Sequence, residues 1–168
     1  MGQKKEEIQN ESHQLTLSFI RGKALYTGFI GGMGASSLSI FLYFFNFIEI
    51  HPRSFILTSW NDASWTETKL GTVISIILIA ILSVLVAYIY YLVFKNVNSI
   101  WSGVIYGLLL WGIVFYALHP VFSNIPSLKE QNTSTIISTL SLYILYSVFI
   151  GYTISYDYAI YKHHDNNR

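Results

Sequence analysis

The stretch GTVISIILIAILSVLVAYIYYLVF, residues 71–94, decides the fold. It carries no Asp, Glu, Lys or Arg, and from Ile74 to Val86 only Ser75 and Ser83 interrupt apolar side chains on every side. A strand of a membrane barrel alternates apolar and polar residues over about 10 positions, a pattern missing here. A helix rises about 1.5 Å per residue and needs about 20 residues to cross a hydrocarbon layer about 30 Å thick. Residues 71–94 are long enough to do so alone.

Three further charge-free runs follow the same logic: residues 25–48, 100–122 and 134–156. The ten Lys and Arg and the nine Asp and Glu all lie outside the four runs. The fold expected is all-α, a polytopic four-transmembrane-helix bundle over residues 25–156, with polar, mobile tails at 1–24 and 157–168. Residues 49–70 form its one sizeable loop. With 52% hydrophobic and 11% charged residues, too little polar chain remains to coat a soluble globule. The first run exceeds the apolar core of a secretory leader and has no small-residue cleavage site after it, so it is read as a retained span.

Orientation follows from Lys and Arg, which resist translocation. Lys4, Lys5, Arg21, Lys23, Lys95, Lys162 and Arg168 fall on one side, against Arg53, Lys69 and Lys129 on the other. Both termini are therefore expected in the cytoplasm and loop 49–70 outside. Tyr88, Tyr90, Tyr91, Tyr156, Tyr158 and Tyr161 read as an inner aromatic belt, with Trp60 and Trp65 on the outer side. Within the loop, Asp62 or Ser64 offers a cap for a short interfacial helix before the second span.

The first and third runs share two features. Glu49-Ile50-His51-Pro52 ends one and Ala117-Leu118-His119-Pro120 ends the other; Gly28 and Gly32 open one, Gly103 and Gly107 the other. This internal likeness suggests two helical hairpins in parallel. Small residues at four-residue spacing let helix backbones approach in lipid. Gly28, Gly32 and Ser36 form such a strip, Gly31, Ala35 and Ser39 a neighbouring one, then Gly103 with Gly107, and Ser147, Gly151 and Ser155. The first, third and fourth spans are expected to meet through them, and the same strips serve a homo-oligomer or a second membrane protein.

Topology gathers Glu49, His51, Arg53 and His119 at one interface. One carboxylate and two imidazoles fit a metal such as zinc if His51 and His119 converge, with Arg53 holding an anion or lipid headgroup. Equally, a His-Pro pair ends a helix because proline lacks a donor and disfavours helix before it, leaving His, Glu and Arg to cap or pair locally. His163-His164-Asp165 reads as solvated tail, and Asp157 as a headgroup-level residue.

Zero cysteines exclude disulfides and thiolate chemistry. A net charge of +1 without a basic stripe speaks against nucleic acid as partner. Phosphate-binding Gly-rich loops, Gly-x-Ser-x-Gly elbows and His-Glu-x-x-His are missing. Ionisable residues at mid-membrane, the usual mark of ion-coupled transport, are missing too. No cofactor is expected, and the role leans away from catalysis.

The segment Glu49-Ile50-His51-Pro52-Arg53-Ser54-Phe55 with Thr58-Ser59-Trp60, the Gly31-Gly32 pair and the second His-Pro at His119-Pro120 resemble the YqhR conserved membrane proteins of Gram-positive spore formers. The resemblance extends to chain length and four spans. It implies a bacterial plasma membrane and brings no assigned activity or catalytic residue. The readings left open are a membrane accessory or interaction protein, a metal, anion or headgroup site at the outer interface, and a small transporter or channel component.

Overall fold

A computed structural model describes the backbone of residues 2–58, 63–94, 97, 99–122 and 125–166; the side chains of 2–13, 15–17, 55, 56, 119 and 161–166 lie outside the described set. Among these residues five α-helices follow in chain order: α1 (Gly2–Phe44), α2 (Pro52–Ile56), α3 (Lys69–Phe94), α4 (Ile100–Gly112) and α5 (Thr133–Asn166). Short 3-10 turns cover Ser64–Glu67 and His119–Val121, and a π turn over Ile113–Ala117 continues α4. Among the described residues four helical stretches are long and apolar enough to cross a membrane: Ser18–Phe44, Lys69–Phe94, Ile100–Ala117 and Thr133–Ile160. Among the described residues there is no strand.

The helices begin and end for local reasons, and these differ in places from the expected spans. The first span stops at Phe44 and does not continue to residue 48, because Asn46 turns left-handed with φ 58°. Its N–H donates to Tyr43 O at 3.0 Å, and Phe47 N–H donates to Leu42 O at 2.9 Å. This pair of bonds is a Schellman motif, with Asn taking the place glycine usually holds. The third span leaves α geometry at Ile113, where Leu118 N–H reaches back five residues to Ile113 O at 2.8 Å. Pro120 follows, and its ring disfavours regular helix just before it.

At the other end of the bundle, α1 is helical from Gly2 and α5 runs on to Asn166, where mobile tails were expected. From Gln3 to Arg21 there is no Gly or Pro, so an existing helix extends one bond per residue with no new nucleation. In the loop, the expected interfacial helix is a single 3-10 turn, Ser64–Glu67. Ala63 takes its cap position with no side-chain bond, and Asp62 and Trp60 lie outside the described residues.

The main packing pairs are α1 with α3 and α4 with α5, joined through α1 with α5 and, more lightly, α3 with α5. Each hairpin closes by one device. A Cβ on Gly28 would stand 2.6 Å from Ala87 Cβ and 2.9 Å from Ser83 O; a Cβ on Gly103 or Gly107 would stand 2.8 Å from the Cα of Val148 or Ile144. Only hydrogen fits at these crossings. The Gly28 and Gly32 strip thus faces the second span, where contact with the third and fourth was expected; Ala80, Ser83 and Ala87 supply the matching small surface.

Two apolar cores stack along the bundle. One joins Ile20, Ala24, Ala87, Tyr90, Tyr91, Tyr106, Ile150 and Ile154; the other, near the loops, joins Ile50, Phe115 and Ile125. Tyr90 and Tyr91 are therefore core residues, 0% and 1% exposed, and the belt reading fails for both. Tyr88 and Tyr156 do face outward. Lipid and core are equally apolar, so a tyrosine near a helix end reads alike in sequence whichever it meets.

Candidate functional site

Inside the bundle the chemistry is that of hydroxyls. Ser83 Oγ donates to Gly28 O at 2.5 Å and also meets Tyr146 OH, tying α1, α3 and α5 at one point. Tyr90 OH lies 2.8 Å from Ser102 Oγ and 3.4 Å from Ser155 Oγ, joining α3, α4 and α5, and Tyr106 OH donates to Val86 O at 2.8 Å. Without water nearby, each hydroxyl needs a protein partner, and these bonds fix how the helices face one another. Sequence reasoning missed the three tyrosines as framework residues. The spacing of Ser83, Ala87 and Tyr90 on one face of α3 was the signal available.

The other packing residues are placed as follows. Ser36 Oγ donates to Gly32 O within its own helix at 2.7 Å. Gly31 sits against Tyr146 and Phe149 of α5, and Gly151 against Tyr90 of α3. Ser147 is fully buried with its Oγ unpartnered, beside Gly103. Asp157 forms an ion pair with Lys23 Nζ at 2.9 Å, linking the last turns of α5 to the middle of α1.

At the loop end, the residues grouped from sequence divide among separate tasks. His51 is the N-cap of α2, its Nδ1 accepting from Arg53 N–H at 3.2 Å, with Pro52 in the first helical position. Its ring packs edge-on against Tyr43 at 4.8 Å. Burial, and secondarily the charge of Arg53, pulls the imidazole down to about 4, so it is neutral at physiological pH. Arg53 turns its guanidinium to Glu67 O at 2.6 Å, closing the loop onto the 3-10 turn. Thr66, in that turn, packs so tightly on Gly71 that a Cβ there would strike its carbonyl. The side chain of His119 lies outside the described residues. Among the described residues no three His, Asp or Glu come together as a metal site.

Glu49 stands apart from these tasks. Its backbone N–H donates to Thr135 Oγ1 at 3.1 Å, and Ser134 Oγ donates to Phe47 O at 3.1 Å, so α5 fixes the turn that carries it. Tyr43, Phe44, Asn46, Ile48 and Glu49 line an open depression of about 520 Å³.

A family described as conserved membrane protein YqhR matches residues 3–168. The chain belongs to the YqhR family. A Bacillus subtilis (strain 168) relative described as uncharacterized protein YqhR is 40% identical over 153 residues, which cover 91% of this chain and 84% of the relative. No solved structure matches. YqhR membership agrees with the four membrane-crossing stretches and places the chain in a lipid bilayer.

Proposed function

We propose that this YqhR-family chain is a non-enzymatic membrane protein that acts by associating with a second copy or with another membrane protein. The observation carrying this reading is the outward face of α1. Tyr26, Ile30, Met33, Gly34, Ser37 and Phe41 form one exposed helical face, and a Cβ on Gly34 would meet nothing within 4 Å. The glycines used for internal closure lie on the opposite face, so α1 carries a second, open notch where another helix backbone can come close. Ser83, Tyr90, Ser102, Tyr106, Tyr146 and Ser155 bond to one another or to backbone, which supports a framework rather than a polar path. The Lys and Arg distribution favours a plasma-membrane orientation with both termini in the cytoplasm.

The test is photocrosslinking in native membranes from Gly34 or Ser37, with position 31 as the inward control. Crosslinks to a second chain from the outward positions alone support the reading. A natively extracted protein that is strictly monomeric and crosslinks to nothing overturns it. Because the chain has no cysteine, single cysteines at Lys4 and Lys69 report orientation by reagent access from either side.

A further inference from the structure

We propose that the depression formed by Tyr43, Phe44, Asn46, Ile48 and Glu49 binds an organic ammonium group, the amine headgroup of a phospholipid being the occupant its depth favours. Four features of the geometry converge on a cation. First, Glu49 brings a carboxylate that has no ion pair among the described residues. The nearest cation in sequence, Arg53, is engaged with Glu67 O. Second, two aromatic residues, Tyr43 and Phe44, line the same depression, and π faces attract ammonium groups more strongly once water is thinned out. Third, the depression is built on the last turn of α1, the negative pole of its helix dipole. Fourth, His51, the imidazole packed on Tyr43, is neutral and adds no positive charge of its own.

The site is also built rather than incidental. The left-handed turn at Asn46 folds Ile48 and Glu49 back beside Tyr43 and Phe44, and buried Ile48 holds it down. The bonds from Thr135 and Ser134 of α5 fix the backbone on both sides of Ile48. The residues lie where the apolar run 25–48 ends, which is headgroup level for a spanning helix. Phe44 is 77% exposed, leaving its ring able to cover a bound headgroup. A metal ion is a poorer match, since one carboxylate among aromatic rings lacks the several oxygen or nitrogen ligands a metal needs.

The experiment uses the full chain in nanodiscs holding phosphatidylethanolamine and phosphatidylglycerol in equal amounts, with retained lipid read by native mass spectrometry. Wild type is expected to retain phosphatidylethanolamine preferentially. Glu49→Gln, which keeps shape and the backbone bond, should lower that preference about tenfold, the loss of one charge-assisted contact, and Glu67→Gln should leave it unchanged. Tyr43→Leu should lower it as well and serves if Glu49→Gln does not fold. Dissolved phosphoethanolamine, followed by saturation-transfer NMR in phosphatidylglycerol discs, tells the source. Binding of this probe that depends on Glu49, with no lipid preference, assigns the site to a soluble amine. If neither probe separates wild type from Glu49→Gln and Tyr43→Leu, the inference is overturned. A monomeric, uncrosslinked protein would leave lipid retention untouched, so the two proposals fail separately.

Discussion

Replacing Gly28 with alanine tests whether the α1–α3 crossing is as tight as described. The new methyl would stand 2.6 Å from Ala87 Cβ, 2.9 Å from Ser83 O and 3.1 Å from Val84 Cα. Carbon atoms rest about 3.5–4.0 Å apart, so the helices must separate by about 1 Å. Overpacking of this kind costs about 1–3 kcal/mol. The same separation stretches the Ser83 bond to Gly28 O, a loss of about 1 kcal/mol. Alanine returns up to about 1 kcal/mol through helix propensity. The net expectation is a loss of about 2 kcal/mol, roughly a thirtyfold fall in the folding equilibrium. Gly22→Ala is the internal control: it adds the same methyl to the same helix where nothing lies within 4 Å, outside the face proposed for association, and should be neutral or slightly stabilising. Gly28→Ala with Ala87→Gly should recover part of the loss, since the contact with Ser83 O remains. Reversible unfolding in mixed micelles, followed by tryptophan fluorescence, measures all four proteins. A Gly28→Ala variant as stable as wild type, or a Gly22→Ala variant equally damaged, would refute the reasoning.

Three further outcomes are expected. Tyr90→Phe keeps the ring against Phe94 and Tyr106 but removes the hydroxyl shared with Ser102 and Ser155, and should cost about 1 kcal/mol in the same unfolding assay. His51 sits at about 4 when folded against 6.5 unfolded, so the unfolded chain binds the extra proton; stability should be level above pH 6.5 and fall as pH drops from 6.5 towards 4. His51→Asn retains a capping acceptor and should lose that slope, which a pH series on both proteins would show. Lys23→Met breaks the pair with Asp157, and because Lys23 is half exposed the loss should stay below about 1 kcal/mol and shrink in high salt.

The four spans were legible because exclusion of charge over more than 20 residues is a property of the run as a whole, indifferent to which face meets what. Helix ends were less so. Phe44-Phe45-Asn46-Phe47-Ile48 is apolar enough to read as continuing helix, and only the backbone at Asn46 reveals the stop. Likewise, His119-Pro120 marked the third exit, but the π turn before it has no composition of its own. The glycine strips stood out, whereas their partner did not: Ala80, Ser83 and Ala87 are spread among Ile and Leu, and lipid-facing and helix-facing residues look alike. His51 caps its own helix, one of the two readings offered for it, whereas nothing in the sequence announced that Arg53 reaches to Glu67 O. Glu49 is left to face Tyr43 and Phe44, residues that precede it by a turn of reversed backbone no motif announces.

The π turn at Ile113–Ala117 has a consequence for how the family can vary. A ring closed five residues back holds one residue more than an α turn between the same two ends. A single-residue deletion there can be absorbed by reversion to α geometry. The Gly103 and Gly107 crossing before the turn and the segment from Leu118 onward would then keep their alignment with α5. Length differences among relatives of this chain should therefore gather in this short stretch of the third span, where an insertion elsewhere in a membrane helix would turn every following side chain to the wrong neighbour.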